Sequence, residues 1–357
     1  MKLSAICFTE AGVRLCARLV KKLSYSGQSC EGYGPEAFLG SVPEGDRLIP
    51  LKMSLSEWTK EQFFQKDGLI FIGAAGIAVR AIAPFLRSKA EDPAVVVMDD
   101  MGRFSISLLS GHLGGANELA ERLARMVGGQ AVITTATDIH GKFAVDLFAK
   151  DLGLVITELK KVKEISSSIL QGEGVGFHCD FPVSGKLPSG LIKGGTCRTN
   201  LWITLKVESW EKALKESLRL VPRLLVLGIG CRKGVPVETI ERVVSQFFKE
   251  WNLSTEGLAA CASIDIKKEE MGICQFAAAR RIPFYTFSAG DLEKIEGEFS
   301  SSVFVKKVTG VDNVCERSAL ACVKELGGGK LLIKKQVSEG VTAAVAVLNW
   351  KVTYPLD

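Results

Sequence analysis

Gly68-Leu69-Ile70-Phe71-Ile72-Gly73-Ala74-Ala75-Gly76-Ile77-Ala78-Val79-Arg80 decides the fold class of this 357-residue chain. An apolar run without alternation reads as a strand buried on both faces, as parallel sheets covered by helices require. Gly73 ends the run in a glycine turn, and a helix starts at about Ile77. The same opening returns at Arg223-Leu224-Leu225-Val226-Leu227-Gly228, followed by a helix over 236–250.

Working outward, residues 3–8 read as a first strand and 12–22 as the helix behind it. Pro35, Gly40, Pro43, Gly45 and Pro50 mark an irregular connection. Strands over 94–98 and 104–109 are joined by Asp99-Asp100-Met101-Gly102, a tight turn. A helix over 116–127, a strand over 131–135 and a helix over 142–150 complete the first unit. From 152 to 222 the strong apolar runs thin out and glycine and proline crowd the interval. After the second opening come a strand (258–264), a helix (269–281), strands over 283–287 and 303–306, a helix (314–326) and strands over 330–335 and 341–348. Strands alternating with amphipathic helices give an α/β class: two α/β units with largely parallel sheets joined by a small middle α+β domain. The divisions fall at 1–134, 135–222 and 223–357.

Composition narrows the function. The chain is 47% apolar and 24% charged, as a globular protein is. A net charge of +5 is small for this length, and no Lys/Arg run resembles a nucleic-acid tail. The excess suits a polyanionic small molecule and suits ordinary surface variation equally. Residues 3–8 are too short an apolar core for a signal peptide. The longest uncharged apolar stretch, 68–79, is 12 residues, short of the ~18 that span a bilayer. A cytoplasmic chain with no membrane and no nucleic-acid partner is expected. Ten cysteines are scattered without any C-x-x-C, so they read as reduced core thiols. The three histidines, His112, His140 and His178, lie too far apart in sequence for metal-ligand spacing, and no metal site is expected.

Four constellations carry chemistry. Gly73-Ala74-Ala75-Gly76 with Arg80 could present backbone N–H groups and one cation to a carboxylate or phosphate. It serves as well as a plain βα turn. Ser110-Gly111-His112-Leu113-Gly114-Gly115-Ala116-Asn117 puts an imidazole in a glycine loop before a helix, and imidazole moves protons near neutral pH. The alternative is a loop histidine bonded to backbone, with Asn117 capping the helix. Thr134-Thr135-Ala136-Thr137-Asp138, with His140 beyond, reads either as helix caps or as ligand groups at the same sheet edge. Asp99 and Asp100 are a turn or a carboxylate pair. Gly228-Ile229-Gly230-Cys231-Arg232-Lys233-Gly234 fits neither the dinucleotide nor the P-loop signature. It is a glycine turn with two cations suited to carboxylates. Cys231 has no histidine in residues 223–357 to activate it. Ser263 to Glu269 mixes cap and solvated-face signals, and Asn313 with Glu316 has capping-box spacing.

Residues 68–80, 110–117, 228–234, 263–269 and 310–318, in that order, resemble the CbiG family, and the C-terminal part alone looks like CobE. The resemblance implies hydrolysis of the δ-lactone of cobalt-precorrin-5A with release of acetaldehyde, a step of anaerobic cobalamin biosynthesis. It implies no cofactor of the protein's own, because the cobalt is carried by the substrate. On that footing His112 is the expected base, assisted by Ser110 or Asn117, and backbone donors at Gly114 and Gly115 meet the oxyanion. The expected substrate-binding set is Gly73, Gly76, Arg80, Gly111, Gly114, Gly115, Asp138, Gly228, Gly230, Cys231, Arg232, Lys233, Gly234, Ser263 and Glu316. Neighbouring corrin-pathway enzymes are the expected protein partners, and a homodimer is the expected assembly. A non-catalytic corrinoid carrier or chaperone is the alternative.

Overall fold

The computed structural model describes residues 1–46, 48–88, 91–112, 114–135, 142–209, 214 and 217–354. The chain forms two compact units, Met1–Leu147 and Phe148–Asp357.

In the first unit, strands β1 (Lys2–Cys7), β2 (Ser29–Gly34), β3 (Ile49–Pro50), β4 (Gly68–Ile72), β5 (Ala94–Met98), β6 (Phe104–Leu109) and β7 (Gln130–Val132) make one sheet in the order β3-β2-β1-β4-β5-β6-β7. All neighbours are parallel except β5 and β6. The helices are α1 (Glu10–Tyr25), α2 (Leu55–Gln65), α3 (Ala75–Ile82) and α4 (Ala116–Val127). Strand side chains alternate between two cores. Leu3, Ala5, Ile70, Ile72, Val96 and Met98 pack with residues of α1 and α4, while Ile6, Leu69, Phe71, Val95 and Val97 pack with residues of α2 and α3. Burial on both faces explains the unbroken apolar runs. The strand order reverses between β1 and β4, and open α/β sheets hold ligands beyond the carboxyl ends at such a point. The last helix, α5 (Val145–Asp151), begins in this unit.

In the second unit, β8 (Leu154–Ile156), α6 (Leu159–Leu170), β9 (Val175–Cys179), β10 (Val183–Ser184), β11 (Leu191–Lys193), β12 (Asn200–Ile203) and β13 (Leu218–Pro222) come first. Five of these strands form a sheet ordered β11-β9-β12-β13-β8, antiparallel only at β13/β8. Then follow β14 (Leu225–Cys231), α7 (Val237–Glu250), β15 (Leu258–Ile264), α8 (Met271–Ala279), β16 (Phe284–Phe287), α9 (Ala289–Glu293), α10 (Val303–Thr309), α11 (Cys315–Glu325), β17 (Gly329–Ser338), β18 (Val341–Leu348) and β19 (Val352–Thr353). The second sheet is ordered β16-β15-β14-β18-β17, parallel across β14, β15 and β16 and antiparallel at β18. Side chains of α7 and α8 fill one face, and α11 covers the other.

The strand expected over 303–306 is a helix. The Ser302 hydroxyl accepts the Val305 N–H, and Gly310 closes the segment in the left-handed conformation. A cap at each end prevails over the β preference of Val303 and Val305. The chain end also returns to the earlier sheet region. β19 pairs with β10, and buried Tyr354 stacks on Phe148 and meets Phe177 edge-on. Among the described residues no helix is long and apolar enough to cross a membrane.

Candidate active site

The loop after β6 is built around Ser110 and Gly114. Ser110 has φ 56°, a left-handed conformation uncommon for a residue with a side chain. Its hydroxyl donates to the Asp92 carbonyl at 3.0 Å, and its own carbonyl accepts the Ala116 N–H at 3.1 Å. Gly114 passes so close that a Cβ there would lie 2.4 Å from Ser110 Cβ. The Gly115 N–H donates to the His112 carbonyl at 3.0 Å, and the Asn117 N–H donates to the Gly111 carbonyl at 3.0 Å. His112 therefore sits on fixed backbone. Asn117 is inside α4, whose cap residue is Gly115. The Asn117 amide donates to Thr135 Oγ1 at 3.2 Å, so the strand-end threonine and the glycine loop do share one sheet edge.

His112 Nδ1 lies 3.1 Å from Asp146 Oδ2, with the imidazole 10% exposed and the carboxylate 18%. Asp146 opens α5, where its Oδ1 accepts the Leu147 N–H at 3.1 Å. Burial works against ionising this carboxyl. The hydrogen bond and charge of His112, with backbone N–H groups, nevertheless hold it below the ordinary carboxylate range. The sequence reading missed Asp146. It is 34 positions from His112, and its one local mark is an acidic residue in a first helical turn.

The structure divides the expected set. β6 runs against β5, so the His112 loop emerges beside Asp92 and Ala94, at the amino ends of the parallel strands. Gly73 follows β4 at the carboxyl ends, where its N–H donates to the Met98 carbonyl at 2.8 Å. The five-residue strand β4 therefore separates the two places by roughly 17 Å. Gly73, Gly76 and Arg80 thus lie at the opposite end of the strands from His112. Arg80 is exposed and folds back to donate to the Gly76 carbonyl at 3.3 Å. Gly73 has a packing reason as well: a Cβ would meet the Phe8 ring at 2.9 Å. Asp99 binds the Met101 and Phe104 N–H groups, so it builds the turn, and Asp100 accepts from Thr9 Oγ1. Asp138 and His140 lie outside the described residues. Gly115 also changes role, because its N–H is committed to the His112 carbonyl.

In the second unit the candidates gather at the carboxyl edge of β14 and β15. Gly228 and Gly230 are inside β14 and not in a turn. A Cβ on Gly228 would lie 1.8 Å from the Cys315 carbonyl oxygen, so this glycine admits the start of α11. Ser263 is fully buried and donates to the Ile229 carbonyl at 2.6 Å. Glu316 is fully buried and accepts from the Ser300 N–H, the Ser300 hydroxyl and the Lys335 N–H. Both residues brace the edge from within and do not face solvent. Arg232, Lys233 and Gly234 are exposed. The Gly234 N–H donates to Glu270, which also pairs with Lys267 at 2.7 Å. Burial pushes the Cys231 thiol up to about 11, against Lys267 and with Glu270, so it is protonated at neutral pH and a poor nucleophile. Among the described residues no three His, Cys, Asp or Glu side chains gather where they could hold a metal ion.

Three family models match the chain in order. They are Cobalamin synthesis G N-terminal over residues 57–138, Cobalamin biosynthesis central region over 143–220 and Cobalamin synthesis G C-terminus over 225–346. The cobalt-precorrin-5A hydrolase of Salmonella typhimurium is 34% identical over 360 residues, covering 97% of this chain and 98% of that one. The enzyme of the same name from Priestia megaterium is 33% identical over 309 residues, covering 81% and 80%. Among solved structures, CobE, a protein from the cobalamin (vitamin B12) biosynthetic pathway, is 33% identical across 36% of this chain and 92% of its own, with a TM-score of 0.34.

Proposed function

The chain belongs to the CbiG family of cobalamin biosynthesis, and from that membership we propose that it opens the δ-lactone of cobalt-precorrin-5A with water activated by His112. The observation that carries the reaction class is the match along 97% of the chain to a hydrolase of that substrate. The chain is a hydrolase, and no finding speaks for the carrier alternative. His112 carries the proposed chemistry because it is the one histidine of its loop, held on fixed backbone with part of its ring exposed.

In this reading the imidazole takes a proton from water as the water oxygen bonds to the lactone carbonyl carbon. The negative charge that develops on the carbonyl oxygen meets the Gly114 N–H, since the Gly115 N–H is occupied. Collapse of the tetrahedral intermediate breaks the ring C–O bond and leaves a carboxylate and a hydroxyl. Loss of that hydroxyl's proton then returns the carbon–carbon bonding pair to the macrocycle and frees acetaldehyde. Ser110 and Asn117 act by holding the loop, through Asp92 and Thr135. Within the second unit by itself, the exposed Arg232 and Lys233 are cations of the kind that binds carboxylates. The proposal calls on no resident cofactor, because the cobalt arrives with the substrate.

The test is anaerobic incubation of the purified protein with cobalt-precorrin-5A, following lactone loss and acetaldehyde together. His112→Ala is expected to lower turnover by roughly 10²-fold or more. Turnover within a few-fold of wild type would remove His112 as the base.

A further inference from the structure

The base assignment leaves open which ring nitrogen of His112 does the work, and the loop alone does not decide it. An imidazole can take a proton from water only at a nitrogen with a free lone pair, so the other nitrogen must carry the hydrogen. His112 Nδ1 is 3.1 Å from Asp146 Oδ2, within hydrogen-bond distance. The second Asp146 oxygen is anchored by the Leu147 N–H at 3.1 Å, which fixes the carboxylate plane. The backbone that carries the ring is held as well, because the Gly115 N–H donates to the His112 carbonyl at 3.0 Å.

We propose that Asp146 is the positioning residue of His112: its carboxylate accepts the Nδ1–H and leaves the lone pair on Nε2. The role rests on the reading of His112 as base, but the tautomer itself does not. As water gives its proton to Nε2, the ring becomes an imidazolium whose Nδ1–H faces the ionised carboxylate. The charge formed on the ring is thereby balanced between two mostly buried groups, where such a pairing is stronger than in bulk water. Asp146 never touches the substrate. Its carboxyl is held in the ionised form at neutral pH, as an acceptor must be.

The experiment is nitrogen NMR on full-length protein labelled with ¹⁵N-histidine. His112→Ala identifies the His112 signals among those of the three histidines. Neutral His112 is expected as the Nδ1–H form in the wild type. In Asp146→Asn the side-chain amide can donate to Nδ1, and the tautomer should reverse. A wild-type ring protonated on Nε2, or one unchanged in Asp146→Asn, overturns the proposal. Kinetics supply the second readout. Asp146→Asn should lower kcat by roughly 10²-fold or more with KM within a few-fold, and Asp146→Glu should recover part of it. A reversed tautomer with undiminished kcat, while His112→Ala is inactive, overturns the positioning role alone. Full turnover in His112→Ala overturns the base reading instead, and the tautomer result distinguishes the two failures.

Discussion

Replacing Gly228 with alanine separates a packing glycine from one that admits a ligand. A Cβ at this position would lie 1.8 Å from the Cys315 carbonyl oxygen, 2.8 Å from its carbon and 2.9 Å from Ala319 Cβ, whereas ordinary contact begins at 3.4 Å. The start of α11 would have to retreat by roughly 1.5 Å, and the obstacle is backbone, which has no rotamer to change. That end of the helix is also pinned. The Ser318 hydroxyl donates to the Ala262 carbonyl at 3.2 Å, Arg317 reaches the Asp312 carboxylate and the carbonyls of Leu292 and Ile295, and Glu316 is bound to Ser300 and Lys335. Overpacking commonly costs about 1–3 kcal/mol, and a rigid, pinned obstacle puts this case at about 3 kcal/mol or more. Urea unfolding followed by tryptophan fluorescence reads mainly the second unit, where Trp202, Trp210, Trp251 and Trp350 lie. With a slope of about 2–3 kcal/mol per molar, the midpoint should fall by roughly 1 M or more. Gly230→Ala is the internal comparison, because its new Cβ would meet only Thr342 Oγ1 at 2.8 Å, a side-chain atom whose movement would give up one hydrogen bond to the Gly230 carbonyl and not displace backbone. That variant should lose about 1 kcal/mol or less. Equal midpoints for the two variants, or a Gly228→Ala midpoint close to wild type, would refute the packing argument.

Other perturbations test the remaining contacts. Glu316→Gln replaces one of the two acceptor oxygens with an N–H₂, which then faces at least one of the three donors, so it should cost about 2–3 kcal/mol and speed amide exchange at Ser300 or Lys335. Asp146 is ionised more readily in the folded chain than at its unfolded value of about 3.9, so its stabilisation is complete above that value and is lost as pH falls through the folded one. Wild type and Asp146→Asn should therefore differ in unfolding free energy at pH 7 and converge below about pH 4, and a gap that widens in acid would contradict the assignment. Tyr354→Ala empties a fully buried ring site and should cost about 3 kcal/mol, whereas Tyr354→Phe, which removes a buried hydroxyl with no hydrogen bond, should be neutral or slightly stabilising in the same urea assay.

The sequence was most legible where one local signal governs an element. Strands Ala94–Met98, Phe104–Leu109, Leu258–Ile264 and Val341–Leu348 and helix Ala116–Val127 have the bounds read from the chain, because the apolar pattern stops there at turn and cap residues such as Asp99, Ser110, Asp265, Asn349 and Gly128. Residues 303–306 misled because three β-favouring side chains masked a serine cap and a glycine stop. Asn313 does accept the Glu316 N–H, as capping spacing predicts, but the Glu316 carboxylate turns away to Ser300 and Lys335. Whether a glycine is needed for a ligand or for a neighbouring backbone has no local mark at all. Gly228 became a packing position only when Cys315, far along the chain, came to lie against it. The same holds for His112 and Asp146, whose meeting depends on where α5 docks. The separation of Arg80 from His112 was equally hidden, since it follows from the one antiparallel strand pair, β5/β6, that reverses the direction of the loop.

The return of the chain end has a consequence for biosynthesis. Phe148 and Phe177 are translated long before Tyr354, the ring that completes their packing. The strand partner of Val183 and Ser184 likewise arrives only with Val352 and Thr353. While the chain is being made, this region holds an aromatic vacancy that no earlier residue fills. It can reach its final form only after residues 352–354 have been made, whereas β1 to β7 are complete long before them. Removing residues 352–354 would thus damage the pairing of β10 and the packing of Phe148 and Phe177, far upstream, and leave the pairing of β1 to β7 in place.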